Sequence, residues 1–225
     1  MISRTSSALA KRAGLDVRAI GQKLGVDYVL EGTVRRAGDS IRVMAKQLIA
    51  TANLVHMIAG DTEAAIAWGR KGHRLDPRDP MTTLLYAFAL LQGGQRERAS
   101  ALFDQIVLLG GGIFTSLGML FQHALRGDGE SASKAVEEVR AAAMVDEQLS
   151  LFVAEALALA GVRDEALGWL ENAVRRGLIH PAFLSRTDVL LEDLRADPRF
   201  GKLISEVRTQ RKAFAASTTA ATVPL

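Results

Sequence analysis

The 225-residue chain is 48% hydrophobic and 24% charged, enough apolar side chain to bury a core in one or two domains. Aromatic residues are only 5%, so alanine and leucine must supply most of the burial, which suits packed helices better than sheets. A net charge of +3, with pairs such as Arg35-Arg36, Arg70-Lys71 and Arg175-Arg176 scattered among acids, leaves no basic stripe with stacking aromatics for nucleic acid, and a chain without cysteine has no disulfide, thiolate nucleophile or cysteine metal site.

Met1 to Ser7 lacks the basic and apolar regions of a secretion signal, and no apolar run approaches the ~20 residues of a membrane span. The expectation is a cytoplasmic chain. Ile2 to Thr5 fits a short strand, and Asp16 can cap a helix through Leu24 that has Val17, Ile20 and Leu24 on one face. Tyr28 to Arg35 then reads as a strand, Ala37-Gly38-Asp39-Ser40 as a turn, and Ile41, Val43 and Ala45 alternate as the second strand of a hairpin. Beyond it Ala45, Leu48, Ile49, Ala52, Val55, Ile58 and Ala59 keep helical spacing, which predicts a helix over 45–59.

The middle of the chain carries a period. Gly60, Gly94, Gly127 and Gly161 succeed one another at 34, 33 and 34 residues, and each is followed five residues on by an alanine: Ala65, Ala99, Ala132 and Ala166. A period of this length marks stacked helical pairs. Glycine suits the end of a first helix because it accepts positive φ, alanine lets the second helix approach its neighbours, and Pro77 in Leu75-Asp76-Pro77 cannot continue the helix before it. Ile106 and Ala173 repeat a later phase of the second helix, and the copy at Gly127 is the weakest of the four. With these residues the stretch resembles the tetratricopeptide repeat, which implies an α-solenoid of about four helix pairs over 45–178.

In that arrangement the first helix of each pair faces the concave side. Met81, Leu84, Leu85, Phe88 and Leu91 in the second copy, with Phe114, Leu117 and Phe121 in the third, fall at groove-facing phases and are the candidate partner-binding residues. The competing reading is that they pack the next helix. Repeats that clamp a terminal carboxylate use lysine, arginine and asparagine at such phases, and none stands at these eight positions, so that ligand class is excluded. Gly110-Gly111-Gly112 has no following Gly-Lys-Ser/Thr and no preceding strand, so it reads as an inter-repeat turn rather than a phosphate cradle. His56, His73, His123 and His180 stand apart with no ligand spacing, Ser3, Ser6 and Ser7 have no identifiable base, and Glu97, Glu137 and Glu138 sit among arginines as surface pairs. No catalytic, cofactor-binding or metal-ligating set emerges.

After the repeats, Asp197 can cap a helix with Pro198 at its first position, and Phe200, Leu203, Ile204 and Val207 mark one face. Residues 179–214 are therefore expected to form capping helices for the open end of the solenoid. Ala215 to Leu225 lacks periodicity and is expected to form a disordered tail.

Two further stretches carry a family likeness. Ile2-Ser3-Arg4-Thr5-Ser6-Ser7, with Leu24-Gly25-Val26-Asp27-Tyr28-Val29-Leu30-Glu31-Gly32-Thr33-Val34-Arg35-Arg36, resembles the second half of the TolB-amino-terminal-like domain of bacterial signalling proteins. Phe183-Leu184 and Leu194-Arg195-Ala196-Asp197-Pro198-Arg199-Phe200 resemble the ending of the tetratricopeptide arrays that follow it. The resemblance implies a partial α/β segment at 1–44 and relatives with an adenylate cyclase, serine/threonine kinase or winged-helix domain upstream. It begins partway through the TolB-like domain, and no residue of this chain could form a cyclase metal site or a kinase phosphate loop. The expected function is thus a protein–protein interaction module rather than an enzyme, without cofactors, taking a protein or peptide in its concave groove. The alternative is the regulatory part of a cyclase or kinase, extracytoplasmic where the relative is membrane-anchored. Homo-oligomerisation through the N-terminal segment would cover its open strand edges.

Overall fold

The computed structural model describes residues 39–220, with side-chain burial described from 46 to 216. The chain divides into two compact units, Met1–Met44 and Ala45–Leu225, and the second carries the repeats. The strands expected at 2–5 and 28–35, and the helix expected at 16–24, lie outside the described residues.

The second unit is a helical repeat. Helix α1 (Asp39–Ala59) is followed by α2 (Thr62–Leu75), α3 (Pro80–Gln92), α4 (Arg96–Leu109), α5 (Gly112–Leu125), α6 (Gly129–Val136), α7 (Arg140–Ala143), α8 (Glu147–Leu159) and α9 (Arg163–Arg176). No strand occurs among the described residues. The helix expected over 45–59 is present, but it begins earlier, and this overturns the hairpin strand expected at Ile41, Val43 and Ala45. Three alternating residues are too short a pattern to compete with a stretch that has no glycine or proline between Asp39 and Ala59.

The four turns inside the helix pairs share one construction. Gly60, Gly94, Gly127 and Gly161 hold φ of 80°, 70°, 69° and 80°, a region costly for any residue with a Cβ. The amide of the next residue reaches back to the carbonyl five positions earlier: Asp61 to His56 at 2.9 Å, Gln95 to Leu90 at 2.8 Å, Asp128 to His123 at 3.1 Å and Val162 to Leu157 at 2.8 Å. With the glycine amide bonded three residues back, this is the Schellman helix ending, which satisfies carbonyls left over at a helix C-terminus. In the first and third pairs the residue after the glycine also caps the next helix, Asp61 accepting from the Ala64 amide and Asp128 from that of Ser131. His56 and His123 lie beside those same aspartates, at 3.3 and 3.9 Å.

Close packing follows from the small residues. Ala65, Ala99, Ala132, Ala166 and Ala173 are fully buried, at 0% exposure. At Gly69 an added Cβ would stand 2.9 Å from the Tyr86 Cα, so α2 and α3 touch through their backbones. Pro77 lies in the turn between α2 and α3, and its carbonyl accepts from Gln105 Nε2 at 2.7 Å. Gly110, Gly111 and Gly112 form the turn between the second and third pairs, all with positive φ. The third pair, weakest in sequence, is also irregular: the amides of Glu137, Glu138 and Val139 bond three residues back instead of four, and this tight turn splits its second helix into α6 and α7.

Beyond Gly177 the chain leaves the repeat. It forms a π-helical turn at Phe183–Thr187, a 3₁₀ segment at Val189–Leu194 and then α10 (Pro198–Ala220). Within the 179–214 stretch expected as capping helices, residues 183–194 are thus π-helical and 3₁₀ rather than α-helical. Asp197 accepts from the Arg199 amide at 2.8 Å and Pro198 opens α10, while Phe200, Leu203, Ile204 and Val207 are buried. The disordered tail expected from Ala215 is also corrected, because α10 runs on to Ala220 through an alanine-rich stretch of high helix propensity. Residues 221–225 lie outside the described residues.

Candidate functional site

The inner face of the repeats, where a groove is expected, is filled. On α3 the ten residues from Thr82 to Leu91 are all buried, and on α8 the nine from Ser150 to Ala158 are. A helix at the surface of a solenoid keeps one polar face, so helices buried on every side must be covered on both. Aromatic rings supply part of the cover. Phe88 of α3 stacks on Phe152 of α8 at a centroid distance of 4.1 Å and meets Phe121 of α5 edge-on at 4.7 Å, while Phe121 stacks on Phe103 of α4 at 5.0 Å. The first helices of the second, third and fourth pairs therefore pack against one another.

This corrects the candidate groove. Leu84, Leu85, Phe88, Leu91, Leu117 and Phe121 are buried at 5% exposure or less and belong to the core. Met81 and Phe114, near the starts of α3 and α5, keep partial exposure. The phases are those of the inner face, but the array is curled tightly enough that the inner face closes on itself.

The rest of the cover is the chain's own segment after α9. The 3₁₀ segment Val189–Leu194 packs on α3, α8 and α9, and it buries Leu190, Leu191 and Leu194. Just before it Phe183 and Leu184 are buried too, and the Thr187 methyl lies where a Cβ on Gly60 would be, within 2.8 Å. A partly open cavity of about 90 Å³ remains between Leu54, Met57 and Ile58 of α1, Leu151, Phe152 and Glu155 of α8, and Leu178, His180 and Phe183.

Polar contacts hold this segment. Gln92, at the end of α3, acts as a two-pronged clamp: its Nε2 donates to Asp188 Oδ1 at 2.8 Å and its Oε1 accepts from the Val189 amide at 3.1 Å. The Leu190 amide donates to the same Asp188 oxygen at 3.0 Å, and an Arg195 guanidinium nitrogen donates to the Asp188 carbonyl at 2.6 Å. Asp188 is 0% exposed, and Glu155 of α8, whose carboxyl neighbours it, is 2% exposed. Burial pushes Glu155 well above the usual carboxylate range, and the neighbouring Asp188 charge and hydrogen bond add to this. Burial raises Asp188 too, against the opposing hydrogen bonds from Glu155, Gln92 and the Leu190 amide and the charge of Arg195. On the far side of the cavity His180 is lowered, first by burial and then by Arg211.

Sequence reasoning missed this pair. One signal was present: Glu155 is the single charged residue in Leu151-Phe152-Val153-Ala154-Glu155-Ala156-Leu157-Ala158, so no rotation of that helix exposes it without exposing apolar neighbours. Asp188 carries no such signal, because its partner Gln92 is 96 residues away.

An open depression of about 520 Å³ lies between α6, α7 and α9, with Lys134, Arg140, Trp169 and Arg175 in its lining. Its charges are mostly satisfied locally, Arg140 pairing with Glu137 at 2.6 Å and lying 5.5 Å above the Trp169 ring. Among the described residues no helix is long and apolar enough to cross a membrane.

No family model matches the chain. Over 51 residues it is 45% identical to the "Putative adenylate cyclase 3" of Rhizobium meliloti (strain 1021), a match that takes in 23% of this chain and 9% of that protein's length. Among solved structures it is similar to "MamA RS-1 ArsTM double mutant", with 16% identity and a TM-score of 0.37 over 76% of this chain and 97% of that one. It is also similar to "Crystal structure of MamA protein", with 14% identity and a TM-score of 0.38 over 84% of this chain and 99% of that one.

Proposed function

We propose that the chain is a protein-interaction module of the tetratricopeptide type, whose inner face takes a short partner segment in the place held by its own residues 183–194. The observation that carries this is the Gln92 clamp. A single side-chain amide holds a carboxylate and the following backbone amide of a segment that is neither part of a repeat nor a regular α-helix, with leucines on both sides of it buried. That is a peptide-recognition geometry: the polar contact sets the register, and apolar side chains supply the affinity. A partner segment would carry an Asp-x-Leu-Leu core like Asp188-Val189-Leu190-Leu191, preceded by an apolar pair like Phe183-Leu184.

The test uses the full chain with Leu191→Asp, which sets a carboxylate where a 0% exposed leucine stood and so weakens the resident segment. A labelled peptide covering residues 180–196 is expected to bind this variant at one per chain and to leave the unaltered chain unbound at the same concentration. A variant that keeps its helical circular dichroism and takes up no peptide would sink the reading.

A second reading has one observation in its favour, the 51-residue likeness to a putative adenylate cyclase. On it the chain is the regulatory part of a cyclase or kinase, joined to a TolB-like segment, and the catalytic domain lies elsewhere. Both readings make the chain itself non-catalytic. The purified protein supplied with ATP and a divalent metal is expected to form no cyclic nucleotide, and sustained formation would overturn both.

A further inference from the structure

Two buried carboxyls face each other at the seam between the repeats and the segment that covers them. Each has one oxygen without a partner: Glu155 Oε2 and Asp188 Oδ2 are both buried and make no hydrogen bond to any donor. Two ionised carboxylates in contact would repel, and each orphaned oxygen would also bear its full desolvation cost. One proton resolves both problems, because a carboxylic acid donates and the carboxylate opposite accepts.

We propose that Glu155 and Asp188 share a single proton, and that this proton is a clasp holding residues 183–194 on the inner face, closed while the proton is held and open once it is lost. The clasp deepens the function proposed above, by naming what regulates access to that face, and rests on that reading only for its consequence. Among the groups around the pair is Arg195, whose Nε is likewise buried without a partner. From α3 the pair meets neutral Gln92, and from the end of the 3₁₀ segment it meets Arg195, bonded to the Asp188 carbonyl. From α1 the adjoining cavity presents, among the described residues, Leu54, Met57 and Ile58, from α8 Glu147 and Gln148 stand at its border, and from the stretch after α9 comes His180, itself influenced by Arg211 of α10.

The sign of the pH dependence follows. Both carboxyls are raised above their ordinary values, chiefly by burial, so the stability they give is complete below the ordinary carboxylate range and is lost as the pH climbs through the raised values. His180 is shifted down instead, so its own contribution changes on the acid side and leaves the alkaline limb to the pair.

The experiment is hydrogen exchange on the full chain, followed residue by residue by NMR. The Leu184, Asp188 and Leu190 amides, bonded to His180 O, Phe183 O and Asp188 Oδ1, report on the segment. The Ala132 and Ala166 amides in the second helices serve as references at the same pH, which cancels the ordinary base catalysis of exchange. Segment protection relative to the references is expected to fall about tenfold per pH unit once the proton has been lost. In Glu155→Gln, whose amide donates to Asp188 without titrating, the ratio is expected to stay flat. A flat ratio in the unaltered chain up to about pH 10, the ordinary range of tyrosine and lysine, would overturn the clasp. So would a Glu155→Gln ratio that tracks the unaltered chain. No partner enters this experiment, so a peptide that fails to bind the opened chain defeats the interaction reading alone, while a flat ratio defeats the clasp alone.

Discussion

Phe88→Ala is expected to destabilise the repeat unit by about 3–5 kcal/mol, read as a fall in the midpoint of denaturant unfolding. Its ring meets three others, from α4, α5 and α8, and it is 1% exposed. Truncation leaves a cavity bounded by Phe103, Phe121 and Phe152, and collapse into it is resisted because Phe103 and Phe121 are already stacked on each other. A domain of ordinary stability holds only about 5–15 kcal/mol in total, so the loss is a large share of it. A shift in midpoint worth less than about 1 kcal/mol would mean that the four rings are not the central packing unit.

Phe200→Asp is expected to cost several kcal/mol as well, but at one end. Phe200 is 3% exposed on the first turn of α10, which packs on α9. The substitution removes a large apolar side chain and leaves a carboxyl that must either ionise without a partner or stay protonated, so about 3–4 kcal/mol is a reasonable size. Repeat arrays lose stability at a terminus when its cap is loosened. Amide exchange should therefore quicken first in α9 and α10, with α2 to α4 following only as the whole unit melts. An unchanged melting temperature would show that α10 is not a cap.

The repeat was legible because its constraints are local. Each inner turn needs a glycine at positive φ and each second helix needs an alanine five residues on, and both are properties of one short stretch that recurs. The start of α1 was not legible, because Ile41, Val43 and Ala45 satisfy a strand pattern over a span too short to show a helical one. The inner face was half legible. The residues at its phases were named, yet whether such residues line a groove or a core depends on how tightly successive pairs curl, and that is decided by contacts such as Phe88 on Phe152 that no local pattern records. The covering segment lies inside the 179–214 stretch expected to cap the repeats, where the legible signals were Asp197, Pro198 and the Phe200, Leu203, Ile204 and Val207 face. Its irregular path follows from the need to bring Asp188 to Gln92 and Glu155.

The closure of the inner face also bears on how the unit folds. In an open solenoid each pair touches only its neighbours, so folding can begin anywhere and spread. Here Gln92 and Asp188 must meet across 96 residues, and α3 must find α8 past an intervening pair. Such encounters carry a loop-closure cost before they return any stabilisation. The local helical hairpins can form early, while closure waits for the fourth pair and the segment after it. A chain cut short before Asp188 would thus hold its hairpins but leave the apolar inner sides of α3 and α8 bare, a form prone to self-association during synthesis.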